Sequence, residues 1–322
     1  MPPLAPVSSV RAPAILRPSD IAGHDTAGVE RQIIALFGPT GVGKTAIAIA
    51  LAARLREQGE RPVAVSADAL QLYAGLELLT AAPSAAERAA LDHRLVASIA
   101  LNERVSVARY ARLAHAEIDG LLAEGALPIV VGGTGLYLRA ALAELDLRPP
   151  PPPGAREHWM AELERLGPRA LHAQLAERAP ERAAVIAPTD RHRIVRALEL
   201  ADAGVTPRER SQLWSGEMRH PTRLIGLVME RQALYARIDR RVDEIVAAGA
   251  LAEVQAALRG GVSATARKAL GFQELLDGDL ELLRRRTRNY ARRQLTWLRK
   301  LPNVELVDVT DRSPDEVAAA LQ

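Results

Sequence analysis

At 322 residues, with 48% hydrophobic and 25% charged side chains, the chain has the make-up of a globular protein larger than one minimal domain. It contains no cysteine, which excludes a disulfide framework, a thiolate metal site and a cysteine nucleophile. The lack of cysteine also fits a reducing compartment, and no apolar run approaches the roughly 18 residues that a membrane span needs; a cytoplasmic protein with no membrane partner is expected. The net charge is only +3, yet Arg284 to Lys300 holds eight Arg or Lys and no acid. Such a run is commonly a solvated helix face, and its length and single sign also fit a polyanionic partner.

In chain order, residues 1–31 are rich in Pro, Ala, Ser and Gly without periodicity and read as a disordered tail. The apolar run Gln32 to Phe37 is followed by a Gly-rich turn and a helix pattern from Thr45 to Arg56, a strand-loop-helix unit. Val63 to Ser66 reads as a second buried strand ending at Asp68. A helix over Val107 to Leu122 leads to a third strand, Leu127 to Val131, which runs into Gly132-Gly133-Thr134-Gly135. Apolar strands alternating with helices predict an α/β fold with a parallel sheet covered on both faces.

Five prolines, Pro149 to Pro153, predict a stiff extended spacer of roughly 15 Å. Helical patterns fill 155–204, and a strand pattern returns at Leu224 to Met229. The spacing predicts a helical insertion over 149–220 between two parts of one core domain, 32–148 and 221–322. Helices over Leu234 to Leu258 and Asp279 to Arg299 and a final strand, Val304 to Val307, complete that core.

The segment Gly38-Pro39-Thr40-Gly41-Val42-Gly43-Lys44-Thr45 satisfies G-x-x-x-x-G-K-[ST] between a strand and a helix. Glycines let successive backbone N–H groups converge on a phosphate, and the helix N-terminus adds a positive dipole. Lys44 is placed to contact a terminal phosphate and Thr45 a phosphate-bound Mg2+. The strand ending at Val131 lacks the acid that supports Mg2+ in most phosphate-loop enzymes. The acid at a strand end is Asp68, which could take the metal, cap the turn after it, or act on a substrate.

With Asp68 included, five stretches resemble the tRNA dimethylallyltransferase (tRNA isopentenyltransferase) family: GPTGVGKT (38–45), SADALQLY (66–73), VGGTGLYLRA (131–140), DRHRIVRALE (190–199) and TRNYARRQLTWLRK (287–300). The resemblance runs from about Ile33 to Leu301. It implies a P-loop NTPase-like core, an insertion that grips the anticodon stem-loop, and a channel admitting dimethylallyl diphosphate at one end and a flipped adenosine at the other. The reaction implied moves the dimethylallyl group onto the N6 amine of adenosine 37, with diphosphate leaving into the loop. The expected form is a monomer using Mg2+, with dimethylallyl diphosphate as co-substrate.

The adenine amine is a weak nucleophile because its lone pair is delocalised into the ring, and a carboxylate accepting its proton would help. The resemblance gives that role to Asp68. The departing diphosphate needs neutralising, for which Thr40, Lys44 and Arg241 of an R-I-x-x-R motif (Arg237 to Arg241) are assigned. The plainer reading of Arg241 is a helix pair with Glu244. The tRNA side falls on Asp68, Ala69, Leu70, Gln71 (an amide suited to an adenine edge) and Thr134. It continues at Arg156, His192, Arg193, Arg196, Lys268, Gly271, Phe272, Gln273, Arg292 and Arg293. Tyr290 and Trp297 read as helix-core residues rather than stacking platforms.

Several positions depart from the family pattern: Ala69, Ala74, Leu79 and Ala82 of Leu79-Thr80-Ala81-Ala82-Pro83, Asp92, and Gln273. Most remove a polar or cationic group. Three rivals remain open: a small-molecule kinase, which leaves the basic helix unexplained; a nucleotide-switched RNA-binding module, which leaves Asp68 unexplained; and a transferase acting on free adenine nucleotides.

Overall fold

The computed structural model describes residues 32–145, 147, 152–205 and 212–322. The expectations for the tail (1–31) and for most of the proline run lie outside these residues.

The sheet has six parallel strands: β1 (Ile33–Phe37), β2 (Pro62–Ser66), β3 (His93–Arg94), β4 (Leu127–Gly132), β5 (Thr222–Val228) and β6 (Val304–Asp308), in the order β3-β2-β4-β1-β5-β6. Successive side chains point to opposite faces. Ile33, Ala35 and Phe37 therefore enter one apolar core with Val63, Val65 and Val130. Leu36 enters a second with Ala64, Ile129 and Ile225. Both faces are buried, and the strands consequently read as short continuous apolar runs. The two-residue β3 was not anticipated; it is too short to carry any hydrophobic period.

Because the strands are parallel, the loops after β1, β2, β4 and β5 emerge at one edge, where open α/β sheets bind ligands. The register pairs Phe37 with Gly132, so the loop beginning at Gly38 lies beside the one beginning at Gly133.

Helices Lys44–Glu57, Val107–Ala123, Arg231–Ala247, Ala250–Gly260 and Leu280–Leu298 are among those covering the sheet. The helical pattern over 234–258 divides at Gly249, whose φ of 97° only glycine adopts readily.

Helices Ala155–Leu166, Pro168–Arg178 and Arg191–Asp202 enclose a separate apolar core around Trp159, Leu163, Leu171, Leu175, Ile194 and Leu198. Trp159 Nε1 donates to Asp202 Oδ2 at 2.7 Å, and the Arg178 guanidinium lies 5.0 Å from the Trp159 ring centroid. Where the chain returns to the sheet, wholly buried Arg139 donates to Glu217 O at 3.2 Å and contacts Met218 Sδ at 3.2 Å. Asp119 accepts from Arg219 and pairs with His220, each at 2.8 Å.

Candidate active site

A cavity of about 460 Å³ opens at the carboxyl edge of the sheet. Its floor is the phosphate loop. Gly43 at φ 100° turns the chain into helix Lys44–Glu57, and no side chain caps that helix, so its first N–H groups stay available to an anion. Lys44 Nζ donates to Gly38 O at 3.0 Å and Pro39 O at 2.9 Å. Burial lowers Lys44 to about 8; nearby Asp68 opposes that shift and Arg241 adds to it.

Asp68 and Gln71 line the cavity from the loop after β2. Asp68 Oδ1 accepts from Leu70 N at 3.0 Å, so the turn-capping use is real. It occupies one oxygen, and among the described residues the carboxylate makes no ion pair. Gln71 Oε1 accepts from Ser66 Oγ at 3.1 Å and its Nε2 donates to Ala81 O at 3.0 Å. The amide thus holds the Thr80–Ala81 turn and keeps one oxygen lone pair spare. Ala69 and Leu70 are half-buried against the core.

Arg241 arrives from helix Arg231–Ala247. Its Nη1 donates to Thr40 Oγ1 at 3.4 Å and its Nη2 to Thr80 O at 3.5 Å. Burial lowers its pKa from the ordinary arginine value, while Asp68 acts the other way. It is Arg240 that reaches Glu244, at 3.6 Å, so the plainer reading belongs one residue earlier. Leu79, Val242, Ile245, Leu270 and Leu283 give the cavity an apolar wall.

Sequence reasoning missed Gln294. It is buried on helix Leu280–Leu298, its Oε1 accepts from Thr40 N at 2.8 Å, and its Nε2 donates to Gly133 O at 2.8 Å. A Cβ on Gly133 would collide with Gln294 Nε2, and one on Gly135 with the Trp297 ring. The Gly-Gly-Thr-Gly loop therefore owes two glycines to the close approach of this helix. A signal was present: the two stretches carrying these residues both belong to the resemblance, although their contact was not legible.

Thr134 Oγ1 lies 3.2 Å from Tyr290 OH. Tyr290 lines the cavity, contrary to its reading as a core residue only, because the helix turns that face toward Asp68. Trp297 packs on Trp214 with centroids 4.7 Å apart.

The expected RNA-contacting residues divide. Arg156, His192, Arg193, Lys268, Gln273, Arg292 and Arg293 are exposed. Phe272 is wholly buried, next to Gly271 at φ 98°. Arg156 and Arg196 meet at one carboxylate, wholly buried Glu199, at 3.5 and 3.0 Å. In the basic run, Arg284 pairs with Asp243 and Glu281, Arg286 with Glu274, and Arg288 with Asp239. Three of the eight cations, Arg284, Arg286 and Arg288, are thus paired with acids from other elements, Asp243, Glu274 and Asp239.

The phosphate loop on a parallel sheet, facing an accessible carboxylate and a second buried cation, defines a P-loop-type group-transfer protein. Residues 71–301 match the family model described as IPP transferase. The chain is 41% identical over 293 residues to the tRNA dimethylallyltransferase of Kineococcus radiotolerans, covering 87% of this chain and 92% of that one. It is 44% identical over 290 residues to that of an Anaeromyxobacter species, covering 86% and 94%. Among solved structures, the full-length tRNA isopentenylpyrophosphate transferase of Bacillus halodurans superposes with a TM-score of 0.65 at 33% identity, over 91% of this chain and 94% of that one. The chain belongs to the IPP transferase family, that of the tRNA dimethylallyltransferases.

Proposed function

We propose that the protein moves the dimethylallyl group from dimethylallyl diphosphate to the N6 amine of adenosine 37 in tRNA, releasing diphosphate. The observation supporting this most is the joint presence, in one cavity, of a phosphate loop, buried Lys44 and Arg241, and a carboxylate that makes no ion pair among the described residues. The diphosphate lies on the N–H groups of Gly41, Gly43, Lys44 and Thr45, with Lys44 and Arg241 as fixed cations and the Thr40 hydroxyl held by Arg241. As the allylic C–O bond breaks, charge grows on the leaving oxygen, where those cations already stand. The new bond forms to N6, and Asp68 accepts the proton that N6 loses. Leu79, Ile245 and Leu283 enclose the five-carbon group, while Gln71 and Thr134 orient the adenine.

Among the described residues no group of three or more His, Asp or Glu could hold a metal. Thr45 lines the cavity beside Lys44, and its hydroxyl would hold a Mg2+ carried in by the diphosphate, which would add to the neutralisation of the leaving group.

The segment 149–220 acts as the insertion domain, gripping the anticodon stem-loop through Arg156, His192, Arg193 and Arg196. Lys268, Gln273, Arg292 and Arg293 contact the RNA from the core side. A cytoplasmic monomer belongs to the same reading; no described helix is long and apolar enough to cross a membrane.

Ligand-dependent melting tests the donor. Dimethylallyl diphosphate with Mg2+ should raise the melting temperature with the logarithm of its concentration above its dissociation constant. A shift with ATP and none with the allylic diphosphate would favour a kinase.

A further inference from the structure

Gln294 joins two loops that the chemistry uses separately. Its Oε1 accepts from the Thr40 N–H in the phosphate loop, and its Nε2 donates to Gly133 O, next to Thr134. Both bonds are 2.8 Å, and the side chain is 4% exposed. The partners fix the amide's orientation, since a flipped group would set N–H against N–H and oxygen against oxygen. Thr40 is thereby held at both ends, its N–H by Gln294 and its hydroxyl by Arg241.

We propose that Gln294 is a positioning residue that sets the distance between the diphosphate subsite and the adenosine subsite by bridging Thr40 and Gly133. This rests on the transfer reaction proposed above. In that reaction, two reactants enter from opposite ends of one channel, and their relative placement decides whether the amine reaches the allylic carbon. A neutral amide satisfies both partners with one acceptor and one donor. A carboxylate accepts from Thr40 but has nothing to give Gly133, and it sets a negative charge beside a polyanion. A lysine or arginine has no acceptor for the Thr40 N–H. A hydrophobic residue leaves two buried groups without a partner.

The test uses the full chain with Gln294→Leu and Gln294→Glu, folding checked by circular dichroism. Gln294→Leu should raise the dissociation constant for inorganic diphosphate by about tenfold or more, as expected when the Thr40 end of the loop is released. Its single-turnover transfer rate should fall by about thirtyfold or more at saturating donor, with stem-loop affinity within about threefold of wild type.

Gln294→Glu gives a readout that simple loss of packing does not. A protonated carboxyl can accept from Thr40 and donate to Gly133, as the amide does. The ratio of variant to wild-type rate should therefore rise as pH falls through that carboxyl's pKa, which burial moves upward. A flat ratio, or a folded Gln294→Leu with diphosphate affinity and transfer rate within about threefold of wild type, overturns the proposal. If Gln294→Leu does not fold, the Gln294→Glu profile decides. A wild type that transfers nothing would count against the proposed function, and the diphosphate affinities would still decide the bridge.

Discussion

Arg241 Nη1 donates to Thr40 Oγ1 at 3.4 Å across 201 positions of sequence. This contact places a second buried cation against a loop whose own lysine is Lys44. A phosphate loop alone is consistent with any di- or triphosphate. A loop braced by a guanidinium from Arg231–Ala247, with Asp68 near both cations and an apolar wall alongside, suits an apolar group carried on a diphosphate.

If Lys44 holds the diphosphate as proposed, donor binding should depend on pH. Burial lowers it to about 8, so the free protein loses this charge as pH rises through that value. The protonated form binds diphosphate. The dissociation constant for dimethylallyl diphosphate should be flat below about pH 8 and climb above it, by up to about tenfold per unit. Lys44→Ala should remove this dependence and cut transfer by at least about a hundredfold, as expected for one fixed cation at a leaving group. Titration calorimetry across pH 6.5 to 9.5, with single-turnover transfer, reads both.

Asp68→Asn keeps the side chain's shape and its turn bond to Leu70 N, and it removes the proton acceptor. The single-turnover rate should drop by about a hundredfold or more, with stem-loop affinity unchanged. Collapse of RNA binding with an unchanged rate would show that the turn is all Asp68 serves.

Glu199 holds Arg156 and Arg196 from a wholly buried position. Glu199→Gln should lower stability by about 1–2 kcal/mol. This is less than for a fully buried pair, because both arginines keep access to solvent. Stem-loop affinity should fall as the two guanidinium groups lose their alignment. Denaturant melts and fluorescence anisotropy measure the two effects, and an unchanged RNA affinity would confine Glu199 to stability.

The helix Leu280–Leu298 exposes Arg292 and Arg293, while Arg284 and Arg288 are engaged by Asp243 and Asp239. Replacing Arg292 and Arg293 by Ala should flatten the log–log salt dependence of stem-loop binding by about one to two units. Replacing Arg284 and Arg288 should change it less, because cations already paired release fewer counterions. Equal slopes for the two variants would show that the carboxylates do not hold these arginines away from the RNA.

What the sequence revealed was mainly local: the strand-loop-helix unit at Ile33–Glu57, the Gly-rich turn after β4 and the basic helix each combine period and motif within a short stretch. Contacts between distant stretches were hidden. Gln294 meets Thr40 across 254 positions, and no local pattern marks a buried amide as a bridge. The run from Arg284 looked unopposed because Asp239, Asp243 and Glu274 lie on other elements. Phe272 was placed on the RNA side by its motif, and the burial of its ring was not legible from that motif. Tyr290 and Gln294 line the cavity from a helix that stood out in the sequence for its cations, so its cavity-facing side went unread.

The most direct measurement is transfer itself. The protein is incubated with labelled dimethylallyl diphosphate, Mg2+ and a tRNA bearing adenosines at positions 36 to 38, and the RNA is digested to nucleosides. The account predicts label on N6 of adenosine 37, one diphosphate released per group transferred, and loss of both in Asp68→Asn. Unlabelled RNA from a folded protein that binds both substrates, or label on free adenine nucleotides in preference to tRNA, would contradict it.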